Sequence, residues 1–203
     1  ARRPTDDLHF FDAVIPNCFD VDDYAFSSTP GEYLLYMGRP TARKGLAIVA
    51  EIAARTDLPV LVAGQPGEPV AGTSYVGLVT GQEKKQLLAG ARAVLCPTVY
   101  CEPFGGVAVE AMMSGTPVIA TDYGAFTETV AHGETGYRCR MLREFLAAVD
   151  AVADLDREHI RDYARGRYST AAGARLYGDY LRSLGDLYGE GWYAGTSRLL
   201  QLQ

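Results

Sequence analysis

Ala93-Val-Leu-Cys-Pro-Thr-Val-Tyr-Cys-Glu-Pro-Phe-Gly-Gly-Val-Ala-Val-Glu-Ala-Met-Met-Ser-Gly-Thr-Pro-Val-Ile-Ala-Thr121 is the stretch from which the fold can be read. Ala93–Cys96 and Val118–Thr121 are short, continuously apolar runs. Such runs suit parallel strands covered on both faces, whereas a strand with one wet face would alternate. Between them, Gly105-Gly106 opens a helix over Gly106–Ser114; Gly115 stands where a helix is terminated, and Pro117 blocks its continuation. The pattern is therefore strand, loop, helix, strand.

The same alternation extends in both directions. Strands are expected at Ala13–Ile15, Tyr33–Tyr36, Val60–Ala63 and Tyr75–Val76, with a weak one near Tyr137. Helices are expected at Gly45–Arg55, Gln82–Ala91, Thr127–Ala131, Leu142–Ala153, Arg157–Gly166 and Ala172–Leu187. This order predicts an α/β fold: a single Rossmann-like, doubly wound parallel sheet with helices on both faces. Residues 1–12 read as a hinge or flexible lead-in, and residues 141–203 as a helical tail of the same domain. There is no internal repeat and no low-complexity linker.

The bulk numbers agree. A chain of 203 residues, 48% hydrophobic and 22% charged, has globular composition and needs no disulfide staples. Lys plus Arg is 19 against 25 Asp plus Glu, a formal charge of −6, which disfavours nucleic acid or anionic lipid as a partner over the whole surface. No apolar run reaches the ~18 residues of a membrane span. Ala1–Asp7 has no apolar stretch behind it and does not read as a signal peptide. Cys18, Cys96, Cys101 and Cys139 form no CxxC pair, and His9, His132 and His159 are scattered, so no metal site is expected. Reduced thiols point to a cytoplasmic protein.

In open α/β sheets ligands bind at the loops after the carboxyl ends of the strands. Two of those loops carry chemistry. In the first, Val107, Ala108, Val109, Ala111, Met112 and Met113 cover most of the helix surface, so the helix is buried, yet Glu110 lies within it. Helical side chains lean toward the N-terminus, so Glu110 leans back toward Gly105-Gly106, with Glu102 just ahead of it. Glycines there let a ligand approach bare backbone N–H groups at a helix start, a site that favours an anion. Glu102 could instead serve the helix dipole, and Glu110 could reach solvent past Gly106 and Ser114. An unpaired carboxylate in an apolar helix is costly, however, which favours a ligand with hydroxyls as its partner. The second loop, Gly38-Arg-Pro-Thr-Ala-Arg-Lys-Gly45, places Arg39, Arg43 and Lys44 at the same edge. Lys44 precedes the glycine, so this is not a Walker loop, but a basic cluster in an acidic protein suits a small polyanion.

Glu102-Pro-Phe-Gly-Gly-Val-Ala-Val-Glu110, with Ala111, Gly115 and Pro117-Val-Ile-Ala-Thr121, resembles the Glu-x7-Glu signature of retaining glycosyltransferases of the GT-B class, family 4 or group 1 type. Gly38–Gly45 is similar to that family's Gly-Arg…Lys-Gly loop. Val14-Ile-Pro-Asn17, Tyr75-Val-Gly-Leu-Val79 and Gly133-Glu-Thr-Gly136 match in the family's order. Cys18 and Gly124-Ala125 depart from it, standing where glycine and a glycine pair are common.

The resemblance implies one half of a GT-B fold, the C-terminal donor-binding domain, with the acceptor-binding N-terminal domain or subunit absent from this chain. It implies a nucleoside diphosphate sugar, UDP- or GDP-linked, as donor, with no cofactor or metal required. Arg39 and Lys44 would neutralise the diphosphate, Glu110 would hold the ribose hydroxyls and Glu102 would contact the sugar. Phe104, Gly105 and Gly106 would offer backbone N–H groups, and the backbone at Val79 would meet the nucleobase. Arg39, Lys44 and Glu102 are the candidate catalytic residues. The implied function is transfer of a hexosyl group with retention, to a sugar, lipid or small-molecule acceptor. Two alternatives stand beside it: a non-catalytic nucleotide- or partner-binding module, and a related GT-B sugar-nucleotide epimerase. Titration with UDP, GDP and NAD separates a nucleotide-sugar domain from a dinucleotide domain and from a module that binds none of them.

Overall fold

Aliphatic runs form the strands of one six-stranded parallel sheet: β1 (Leu34–Met37), β2 (Val60–Ala63), β3 (Ser74–Gly77), β4 (Ala93–Cys96), β5 (Val118–Thr121) and β6 (Gly136–Cys139). The structure, a computed structural model, describes residues 13–67 and 69–185. The strand order is β3-β2-β1-β4-β5-β6. The chain steps outward from β1 through β2 to β3, then returns to lay β4 on the other side of β1. Direction of travel reverses between β1 and β4, the position at which open α/β sheets bind ligands.

Alternate strand residues point to opposite faces, and each face has its own core. On one face α1 (Leu46–Ala53) and α5 (Leu142–Ala151) press Val49, Ile52, Phe145 and Val149 onto Leu34, Tyr36, Val62, Leu95 and Ile119. On the other, α2 (Gly81–Ala89), α3 (Gly106–Met113) and α6 (Arg157–Tyr168) bring Leu88, Val109, Met112, Ile160 and Ala164 against Leu35, Val94, Val118 and Ala120. The short α4 (Phe126–Thr129) buries Phe126 beside α3, and α7 (Thr170–Gly185) packs on α6. The expected doubly wound sheet is thus present. Its helical tail divides, with α5 on one face and α6 on the other.

The expected helices form, with ends shifted by a residue or two. The proposed terminus at Leu187 lies outside the described residues, as do residues 1–12. One expected strand does not form. Ala13–Ile15 joins no sheet, and Val14 is 55% exposed. An isolated strand has nothing to satisfy its backbone, so the segment instead runs to a single bridge, Phe19 with Ser169, at the α6–α7 junction. Phe19 N–H donates to Tyr168 O at 2.8 Å, and Thr170 N–H donates to Phe19 O at 3.0 Å.

Candidate functional site

The loops after β1 and β4 meet at the point of reversal and are stitched together. After β1, Ala42–Lys44 form one turn of 3-10 helix that ends on Gly45 at φ +81°. A Cβ on Gly45 would stand 1.9 Å from Pro97 O, so only glycine lets the two loops come this close. Val99 N–H donates to Arg43 O at 3.0 Å. The loop after β4 ends on Gly105, at φ +75°, where a Cβ would strike the Phe126 ring at 2.6 Å. Gly105 is the N-cap of α3 and makes no side-chain capping bond. The opening of α3 at Gly105, Gly106 and Val107 lines a small cleft of about 60 Å3, with Lys44 and Glu102 opposite.

Two lysine–glutamate pairs flank that opening. Lys44 Nζ donates to Glu102 Oε2 at 2.6 Å, and the Tyr100 hydroxyl donates to the same oxygen at 2.8 Å. The Lys44 ammonium lies 4.9 Å from the Tyr100 ring centroid, with the Arg43 guanidinium at 5.4 Å. Burial works against the charge on Lys44, but its hydrogen bonds to Glu102 and Tyr100 outweigh it, and its pKa stands above the ordinary lysine value. One turn into α3, Glu110 Oε1 accepts from Lys84 Nζ of α2 at 2.7 Å. The Glu102 and Glu110 side chains are 12% and 16% exposed, so both charges are mostly shielded from water. Burial, and then the Glu110 carboxylate beside it, hold the Tyr24 hydroxyl well above its ordinary pKa.

Cys96, at the end of β4, registers the convergence. Its thiol is pushed up to about 12, first by burial, while Lys44 pulls it down and Glu102 and Glu110 push it further up. Residues from three separate loops and helices thus act on one buried atom.

Each residue singled out in the sequence can be placed. Lys44, Glu102, Gly105 and Gly106 share the cleft. Glu110 adjoins it through α3. Phe104 turns its ring inward, stacked on Phe19 at 6.1 Å and edge-on to Tyr168 at 6.0 Å, and so pins the turn ahead of α3. Val79 is buried at the end of the loop after β3, just before the helix that carries Lys84. Arg39 is exposed and forms no ion pair with any described residue; its carbonyl accepts the Tyr36 hydroxyl at 2.9 Å.

The expectation that Glu110 lacks a protein partner is corrected by Lys84, which the sequence reading passed over. A signal was available: Lys84 stands one turn before Leu88, which is fully buried, so it lies on the inward face of α2. Tyr100 was missed for a different reason, since nothing in its spacing marks an orienting hydroxyl.

The family profile described as "Glycosyl transferases group 1" matches residues 31–155, from just before β1 through α5 and the turn after it. The chain belongs to this family. It is similar to the phosphatidyl-myo-inositol mannosyltransferase of Mycobacterium tuberculosis, 30% identical over 187 residues, covering 81% of this chain and 50% of that protein. It is also similar to the glycogen synthase of the same organism, 32% identical over 191 residues, covering 82% of this chain and 44% of that protein. The chain therefore spans about half the length of these curated relatives. Among solved structures, the avilamycin A biosynthesis glycosyltransferase AviGT4 superposes with a TM-score of 0.72 at 28% identity, covering 87% of this chain and 58% of that one. Anabaena HepE, solved with UDP and glucose, shares the fold with a TM-score of 0.70 at 21% identity, over 84% of this chain and 56% of that one. The group 1 transferase sheet and the GT-B type of fold thus agree with the resemblance drawn from Glu102–Glu110.

Proposed function

We propose that this chain is the nucleotide-sugar-binding half of a retaining hexosyltransferase, and that residues 1–203 serve as one donor domain. The observation that carries this reading is the gathering of Lys44, Glu102 and Glu110 around the uncapped start of α3, at the reversal point of the sheet. A diphosphate placed there would meet backbone N–H groups at a helix start and the Lys44 ammonium, with Arg39, exposed on the same loop, as the proposed second cation. Glu110 would take the ribose hydroxyls, with Lys84 holding its other oxygen, and the backbone at Val79 would meet the nucleobase. Arrival of the diphosphate draws Lys44 off Glu102, which frees that carboxylate for the hydroxyls of the donor sugar. Cationic stabilisation of the departing diphosphate is then the main catalytic lever, and no metal or cofactor is needed for it.

UDP is the nucleotide held by HepE, and we take a UDP- or GDP-sugar as the donor here. The acceptor would be supplied and positioned by a second, N-terminal domain or subunit. Four free cysteines fit a cytoplasmic setting, and no helix among the described residues is long and apolar enough to cross a membrane.

Calorimetric titration with UDP and GDP tests the reading. Because a donor domain forms one wall of such a cleft, affinity should be about micromolar or weaker. Glu110→Ala should weaken nucleotide binding roughly tenfold or more, as expected for losing a charged hydrogen bond of about 1.5–3 kcal/mol. Glu102→Ala should matter chiefly when the sugar is attached. Absence of heat with either nucleotide at millimolar concentration would sink the donor-domain reading. Equal binding by the parent chain and a stably folded Glu110→Ala would remove the ribose assignment.

A further inference from the structure

A cavity of about 450 Å3 lies away from the Lys44–Glu102 cleft, at the far edge of the sheet between β6 and α5. Its volume falls within the roughly 300–1,000 Å3 of small-molecule sites. The hollow exists because α5 turns Ala147, Ala148 and Ala151 toward it, and alanine leaves the space beside an edge strand unfilled.

The chemistry of the walls narrows the ligand. A peptide adding a strand to β6 is excluded by capping. The outward N–H of Arg138 is taken by His132 Nδ1 at 3.1 Å, and that of Arg140 by Glu144 Oε2 at 2.6 Å. A phosphate is disfavoured because the charges are already matched, with Arg138 and Arg140 set against Asp122 and Glu144. Asp122 Oδ2 accepts from Arg140 Nε at 2.7 Å. Arg138 Nε lies 3.5 Å from Asp122 Oδ1 but makes no hydrogen bond, and it is shut away from solvent. The Asp122 side chain is itself only 19% exposed. The wall thus sets neighbouring donors and acceptors side by side with no net charge. Vicinal hydroxyls, each able to donate and accept, complement that arrangement. The alanines and the Tyr137 ring, set edge-to-face against His132 at 5.4 Å, supply an apolar surface for C–H groups.

The geometry points to an accessory site for a neutral saccharide in the β6–α5 cleft, separate from the nucleotide site. The two clefts share the loop from Asp122 to Phe126, in which Ala125 N–H donates to Glu102 O at 2.9 Å. This site does not depend on the donor assignment above.

Saturation-transfer NMR on the chain, with maltotriose and separately with inorganic phosphate, tests it. Maltotriose should give transfer at millimolar concentration. Ala147→Leu, which fills the hollow from an exposed position, and Asp122→Asn should each weaken it at least fivefold. Saturating UDP and Glu110→Ala should leave it unchanged. The proposal is overturned by absence of transfer, by equal transfer in both folded cleft variants, by displacement with UDP, or by phosphate binding in place of the saccharide.

Discussion

Cys96 and Cys139 show how far burial sets the chemistry of a single residue. Both thiols are pushed up to about 12, in each case chiefly by burial, so at neutral pH almost none of either is thiolate, the reactive form. Cys101 is exposed, and Cys18 is half-buried with its thiol donating to Pro16 O at 3.3 Å. A colorimetric thiol reagent at neutral pH should label Cys101 first, with Cys96 and Cys139 protected until denaturant unfolds the chain. Rapid labelling of Cys96 in the native protein would mean that β4 opens far more readily than its packing implies. At this scale the sequence showed Lys44, Glu102 and Glu110, because a glycine-opened helix with two carboxylates around it carries its meaning in spacing. It did not show what those carboxylates touch. Lys84 and Tyr100 reach them through tertiary contact and the rotamer of one ring, which no spacing encodes.

Among the elements, α2 depends on a residue far along the chain. Its C-terminal turn ends on Gly90, and the guanidinium of Arg157, from the first turn of α6, fills the space beyond it. Arg157 is 4% exposed. It donates to Ala89 O at 2.8 Å, Ala91 O at 3.0 Å, Thr116 Oγ1 at 2.6 Å and Ser27 O at 2.7 Å. A cation at a helix C-terminus is favourable, and its planar fork satisfies carbonyls that would otherwise be orphaned. Burial lowers its pKa to about 10, so it remains charged at neutral pH. Arg157→Met should lower stability by about 3 kcal/mol or more, because several buried acceptors lose their donor at once. Arg157→Lys should recover little, since an ammonium cannot span the same acceptors. Urea unfolding measures both, and an unchanged midpoint for Arg157→Met would show that water replaces the guanidinium without cost. Elements were legible where an apolar run had a neighbour to pair with. Ala13–Ile15 has the composition of a strand and lacks the neighbour, and pairing is a property of the sheet rather than of the run.

For the molecule as a whole, the doubly wound sheet followed from the alternation of short apolar runs with helical periods. The two-sided use of the tail did not, because α5 and α6 differ in which face they cover and not in their periodicity. On the proposed reading the chain alone should transfer no sugar. Holding donor and acceptor in reacting geometry contributes up to about 7–11 kcal/mol, and a donor domain would supply only one wall of that geometry. Incubation with labelled nucleotide-sugars and a panel of sugar and lipid acceptors measures this, with and without a separately supplied N-terminal domain. Robust transfer by the chain by itself would defeat the half-enzyme reading, and activity appearing only on mixing would support it. The closure of Gly45 onto Pro97, with Val99 bonded to Arg43, bears on how such a protein can be re-engineered. A graft that lengthens or replaces the basic loop alone breaks its seam with the acidic one. The two segments are one exchangeable cassette, and libraries aimed at this cleft should vary them as a pair.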